Sequence, residues 1–259
     1  LSVDEITPQG RDAALLEKGF LRMGEWWFER RGSGKTLILA QHPARPTVDE
    51  VADVLLRYPD LSQRAVETAF DGWTGLIAHL VGKNSGAPVL VARYPRTEVD
   101  LNRPYGSQTT TLRSDGSGSG DKVEIATVHN NAFALNALVM YLGDLRRALD
   151  ASPRVIAVHG SMIQGGAQVI VGTRGGNSAP RWMADEAEKC LNAHGVSSAF
   201  EKSGNRRLPG DQVLEWLHAT TESYFMQLEA DRKLRGEKET RDRLVAAICD
   251  MVQAFNAAP

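Results

Sequence analysis

The sequence has only two cysteines, Cys190 and Cys249, in 259 residues. They sit in separate stretches of helical periodicity, so they build neither a disulfide framework nor a cysteine metal cluster. Reduced core thiols are the expected state. No apolar run is long enough to span a bilayer. Neither sign of charge is in excess: 30 Lys and Arg stand against 32 Asp and Glu, a formal net charge of −2. That gives no electrostatic reason to expect nucleic acid or an anionic membrane as a partner. No HExxH or HxxE motif brings two metal ligands together locally. The chain opens at Leu1 without an initiator Met and without a basic, apolar leader. The expectation is a processed or trimmed start and a cytoplasmic location, with export left open.

What is present is ordinary globular composition, 42% hydrophobic and 24% charged. Buried-strand patterns alternate with helical ones, which predicts an α/β fold with a mixed, mostly parallel central sheet flanked by helices. One domain over 1–259 is expected, with 1–31 as an N-terminal extension. Trp26, Trp27 and Phe28 suggest a strand leading into the core, followed by a hairpin turn at Gly32-Ser33-Gly34. RRGSGKT at 30–36 is not a phosphate loop. Glu29 stands where the first glycine must be, and Leu37-Ile38-Leu39 reads as a strand where a helix must open. Thr47 with Glu50 forms a capping-box pattern for a helix over 48–57. A helix over 62–80, broken near Gly72 and Gly75, would carry Glu67 and Asp71 on one face. Residues 104–121 read as a mobile glycine-rich loop, and 122–149 as a long helix. Further helices are expected over 180–194 and 238–255.

Three stretches carry chemistry. TLILAQH at 36–42 and RVIAVHGSM at 154–162 are apolar strands that each deliver a histidine at the exit, His42 and His159. Strand exits are where α/β folds place ligand contacts. Two such histidines and one carboxylate make a three-ligand set with an open fourth position, the pattern of a catalytic zinc site. A structural role for each histidine is the alternative. The third stretch, VLVARYPRTEVDLNR at 89–103, is a buried strand followed by Val99 and Leu101 alternating with Asp100 and Asn102. It ends in Asn102-Arg103. A planar guanidinium beside a neutral amide suits a carboxylate; a turn-forming Asn and a surface Arg before Pro104 is the other reading.

VDLNR preceded by Pro95-Arg96 resembles the N-formylglutamate amidohydrolase family, related to zinc carboxypeptidases. The likeness runs in order through 36–235. It implies a zinc carboxypeptidase-like (phosphorylase/hydrolase-like) fold and a Zn2+ cofactor held by His42, His159 and an acidic residue. Asp71, about fifteen positions before the Gly86-Ala87-Pro88 turn, fits that place, with Glu67 as the alternative. Glu229, on the one polar side of YFMQLEADRKLR, is implied as general base. Asn102 and Arg103 are implied as the carboxylate grip, with Arg174 and Arg206 as further anion contacts; a solvated basic turn remains open for Arg206. The implied activity is a metal-dependent hydrolase of C–N bonds. It would cleave an amide beside a carboxylate-bearing group, as in an N-acyl amino acid. A carboxypeptidase, poly-γ-glutamate hydrolase or cell-wall peptide hydrolase is the alternative, and a metal-free anion-binding module the rival of another class. Two departures stand out. Ala157 replaces the family's acidic residue two before the histidine, and Gly160 is inserted between His159 and Ser161.

Overall fold

The computed structural model describes residues 21–23, 27–30, 32–92, 94–97, 99–101, 109–116, 119–127, 132–163, 166–200 and 223–258. Its main sheet is built from β1 (Leu21–Met23), β2 (Trp27–Arg30), β3 (Thr36–Ala40), β4 (Val89–Ala92), β7 (Arg154–Ser161), β8 (Val169–Gly172), β9 (Ser198–Phe200) and β10 (Tyr224–Asp231). The strand order is β1-β2-β4-β3-β7-β10-β8-β9. The pairs β4–β3, β3–β7, β7–β10 and β8–β9 are parallel; β1–β2, β2–β4 and β10–β8 are antiparallel. The architecture is therefore α/β with a mixed, mostly parallel sheet. The central strands are continuous apolar runs because both faces are covered.

Helices α1 (Val48–Arg57), α2 (Gln63–Glu67) and α3 (Thr74–Ser85) separate β3 from β4, and α4 (Ala132–Ala151) precedes β7. Helix α5 (Arg181–Ala193) follows β8; α6 (Arg232–Gly236) and α7 (Lys238–Ala257) follow β10. One core joins the Ile38, Val89, Val158 and Leu228 face of the sheet to α3, α5 and α7, through Ile77, Met183, Ile248 and Phe255. The opposite face packs Leu37, Leu39, Leu90, Ala157 and Phe225 against Leu145 and Leu149 of α4. Thr47 and Glu50 close the expected capping box on α1. Among the described residues no helix is long and apolar enough to cross a membrane.

Five expectations are corrected. Residues 104–121 are not all loop: β5 (Thr109–Arg113) pairs antiparallel with β6 (Lys122–Ala126). The helix expected from Lys122 starts at Ala132. The run Thr109-Thr110-Thr111-Leu112 is β-branched; Thr110, Leu112 and Ile125 turn inward, the latter two joining Val54, Leu61 and Val66 in a satellite core. The helix expected over 62–80 is two, because Ser62 caps α2 and the chain leaves helical geometry through residues 68–73. Asp71 lies in that connection, so Glu67 and Asp71 share no helix face. Gly32–Gly34 is not a hairpin turn, since β4 lies between β2 and β3. Gly32 instead passes so close to the next turn that a Cβ would fall 2.3 Å from the Gly86 carbonyl oxygen. Finally, Val99 to Leu101 form no strand, and Asp100 is as buried as its apolar neighbours.

Because Ile125 is fully buried where the β5–β6 hairpin meets α1 and α2, Ile125→Ala is expected to cost about 2–5 kcal/mol. Urea unfolding measures this, and a loss below about 0.5 kcal/mol, the level of an ordinary surface change, would detach the hairpin from the core.

Candidate metal centre

Strands β3, β7 and β10 run parallel; β7 and β10 end level with each other, and β3 ends about three residues earlier. The register sets Leu39 beside Ala157 and His159 beside Glu229. The carboxyl ends of such strands are where α/β folds hold ligands. His42, two residues past β3, is 1% exposed, and His159 on β7 is 3% exposed. Asp71 comes from the connection between α2 and α3. Its N–H donates to the His42 carbonyl at 2.7 Å, which ties that connection to the end of β3.

The side chains converge. Asp71 Oδ2 lies 3.1 Å from His159 Nδ1 and 3.6 Å from His42 Nδ1. Ligand atoms from all three residues lie within 4.8 Å of one another. The two rings meet edge to face with centroids 5.3 Å apart. At 3.6 Å the His42–Asp71 contact is too long for a hydrogen bond, and His42 Nδ1 is buried with no hydrogen-bond partner. Burial alone would raise the Asp71 carboxyl, but its contacts with His159 and His42 outweigh this and hold it well below the usual carboxylate range.

The far nitrogens of both rings are held. His42 Nε2 donates to Asp100 Oδ1 at 2.9 Å, and Asp100 Oδ2 accepts from Arg96 at 3.2 Å. His159 Nε2 lies 3.0 Å from Gln41 Oε1. The Gln41 amide nitrogen donates to the Leu101 carbonyl at 3.2 Å. A carbonyl only accepts, so this bond turns the amide oxygen toward His159. Each imidazole thus has its Nε2 tied to an outer acceptor and turns Nδ1 toward Asp71. Outer partners of this kind orient the histidines of metal sites. Two imidazole nitrogens and a carboxylate oxygen, buried and aimed at one point, fit a divalent cation with borderline ligand preference such as zinc. With Ala157 at the position two before it, the His159 ring is still held: Ala157 packs in the core, and Gln41, just past the end of β3, reaches the imidazole.

Glu229 stands in register with His159 on the neighbouring strand. Burial pushes its carboxyl up and Asp71 adds to this, while His159, Gln227 and Arg96 pull it back; the net shift is upward. Gln227 donates its amide to Glu229. Arg96 is held above its ordinary value: burial opposes its charge, but Asp100 and Asp71 outweigh it. Glu67 takes no part; its carboxylate accepts from Gln63 at 2.6 Å on the exposed side of α2. Arg174 is not brought to the centre. It follows β8, whose antiparallel register sets Gly172 beside Gln227, so the chain leaves toward the start of β10. Asn102, Arg103 and Arg206 lie outside the described residues.

Sequence reasoning missed Gln41, Asp100 and Arg96 as parts of the centre. Gln41 and Asp100 lay in view beside named residues, but nothing in periodicity marks a polar side chain as buried.

No family model matches the sequence, and no curated protein sequence does. The fold does have relatives among solved structures. A gene product of Agrobacterium tumefaciens superposes with a TM-score of 0.63 at 13% identity, over 89% of this chain and 93% of that one. N-formylglutamate amidohydrolase from Ralstonia eutropha JMP134 superposes with a TM-score of 0.61 at 15% identity, over 89% and 97%. The chain has the fold of N-formylglutamate amidohydrolase. A metallo-carboxypeptidase from Pseudomonas aeruginosa matches more loosely, with a TM-score of 0.45 at 13% identity, over 95% and 68%. The fold that VDLNR pointed to is thus the one observed, and at such identity an N-formylglutamate amidohydrolase fold leaves activity to be argued from the site.

The upward shift of Glu229 has a sign that can be tested. Its folded value lies above the ordinary 4.5, so its contribution to stability is complete below the unfolded value and is lost as pH rises through the folded one. Glu229→Gln escapes that loss. In metal-stripped protein the variant should gain stability relative to the wild type as pH rises from about 4, read as urea midpoints; a pH-independent difference would refute the shift.

Proposed function

We propose that the chain is a zinc-dependent amidohydrolase that cleaves an amide beside a carboxylate-bearing group, with N-acyl amino acids of the N-formylglutamate kind as substrates. The observation that carries this reading is the convergence of His42 Nδ1, Asp71 Oδ2 and His159 Nδ1 at the strand ends, with both far nitrogens tied down. His42, Asp71 and His159 would hold the ion. When bound, zinc supplies a Lewis acid that activates water and polarises the scissile carbonyl.

The chain's own residues do the rest. Glu229 takes the proton of the attacking water and returns it to the leaving nitrogen. Its raised pKa suits the role, because a general base works best when its pKa approaches the working pH. Gln227, bonded to Glu229, fixes the carboxylate's direction. Asp100 and Leu101 are tied to the centre through His42 and Gln41. Asn102 and Arg103 follow them directly in sequence and would grip the substrate carboxylate. The fold shared with N-formylglutamate amidohydrolase supports the substrate class.

Protein purified without chelator is expected to carry about one zinc per chain by elemental analysis, as a three-ligand catalytic site requires. It should hydrolyse members of a panel of N-acyl amino acids and γ-glutamyl peptides. His159→Ala should lose both metal and activity. Glu229→Gln should keep the metal and lose about 10²–10⁴-fold in kcat. Full activity in His159→Ala, or a chain that takes up no zinc, would rule the proposal out.

A further inference from the structure

Gly160 interrupts the family's pattern directly after His159, and the metal centre itself gives it no role. The space above it is filled by Arg235. A Cβ built on Gly160 would fall 2.4 Å from the guanidinium carbon and 2.5 and 2.6 Å from its two terminal nitrogens. Real Cβ contacts are never so short, so any other residue at 160 must displace the guanidinium. Arg235, near the end of α6, is 5% exposed.

That guanidinium bridges two segments of the site. Its Nε donates to the carbonyl of Ala230 at 3.0 Å, and Nη1 donates to the carbonyl of Gly72. Ala230 follows Glu229 on β10, and Gly72 follows Asp71. One planar cation therefore ties the backbone beside the base to the backbone beside the carboxylate ligand. The Asp71 connection is held on its other side by the Asp71 N–H on the His42 carbonyl and by the Thr74 hydroxyl on the Asp71 carbonyl, each at 2.7 Å. Burial works against the charge of Arg235 and lowers its pKa, and the carboxylates of Asp71, Glu229 and Asp231 offset this only in part. A lysine carries its three donors on one nitrogen and lacks the planar fork that sets two nitrogens against two separate carbonyls.

We propose that Arg235, seated in the notch left by Gly160, is a positioning residue that holds Asp71 at the metal centre in register with Glu229. This rests on the reading of the His42–Asp71–His159 group as a metal site. The test uses the full chain and Zn2+ as probe. Zinc affinity is measured by chelator competition, and melting temperature on the stripped protein. Arg235→Met, Arg235→Lys and Gly160→Ala are each expected to weaken zinc binding about 10–100-fold, the usual range for an outer partner of a metal ligand. Adding Gly160→Ala to Arg235→Met puts a methyl group in the emptied notch. It should recover part of the stripped protein's melting temperature and none of the zinc affinity. Zinc affinity that recovers together with melting temperature, or that stays at the wild-type level in the single variants, overturns the proposal. If Arg235→Met does not fold, the affinities of Arg235→Lys and Gly160→Ala decide alone. A wild type that binds no zinc overturns the metal reading and this inference with it, whereas zinc bound equally by wild type and variants overturns this inference alone.

Discussion

Asp71 Oδ2 faces two imidazole nitrogens inside a site from which water is largely excluded, and the surrounding structure is arranged to make that tolerable. A buried carboxylate without partners is expensive. Here the partners come from β3 and β7, and the Asp71 backbone is itself bonded to the His42 carbonyl. His42 Nδ1 still finds no hydrogen bond. Ring nitrogens and a carboxylate oxygen from three residues converge on one point, and a protein that binds a cation there gains that binding energy only in the folded state.

Around this point the charges form a short chain. Arg96 contacts Asp100, Asp100 contacts His42, and His42 and His159 both face Asp71. Each buried charge has an opposite charge or a polar group next to it, the condition under which such groups are tolerated in an interior. Glu229 lies within electrostatic reach of the same carboxylate and is pushed upward by its own burial and by Asp71. One carboxylate kept ionised and a second kept nearer neutrality show how environment alone can give two like groups different charge.

Much of this could be read from the chain. The apolar runs at β3, β4 and β7 are short and bounded, and the parallel sheet follows from them. His42 and His159 stood at strand exits. The Thr47–Glu50 capping box set α1 to the residue. The β5–β6 hairpin was missed because its glycine-rich tip dominated the composition, although Thr110, Leu112 and Ile125 turn inward at alternating positions. Glu67 and Asp71 looked like neighbours on a helix because the i to i+4 spacing is the same whether or not the helix continues. Ser62 and the positive φ of Trp73, 72°, show that it does not.

The sequence by itself determined the central strands, their burial and the histidines that leave them, because hydrophobic periodicity and turn chemistry are local. It also carried VDLNR, a pattern specific enough to point to the fold. Tertiary structure alone decided that Asp71 faces both imidazoles, that Gln41 reaches the far nitrogen of His159, that Asp100 is buried against His42, and that Gly160 makes room for Arg235. Those pairs are separated by 29 to 118 positions in the chain. Polar side chains meet at such separations only once strand order and register are fixed, and neither is written in any single stretch of residues.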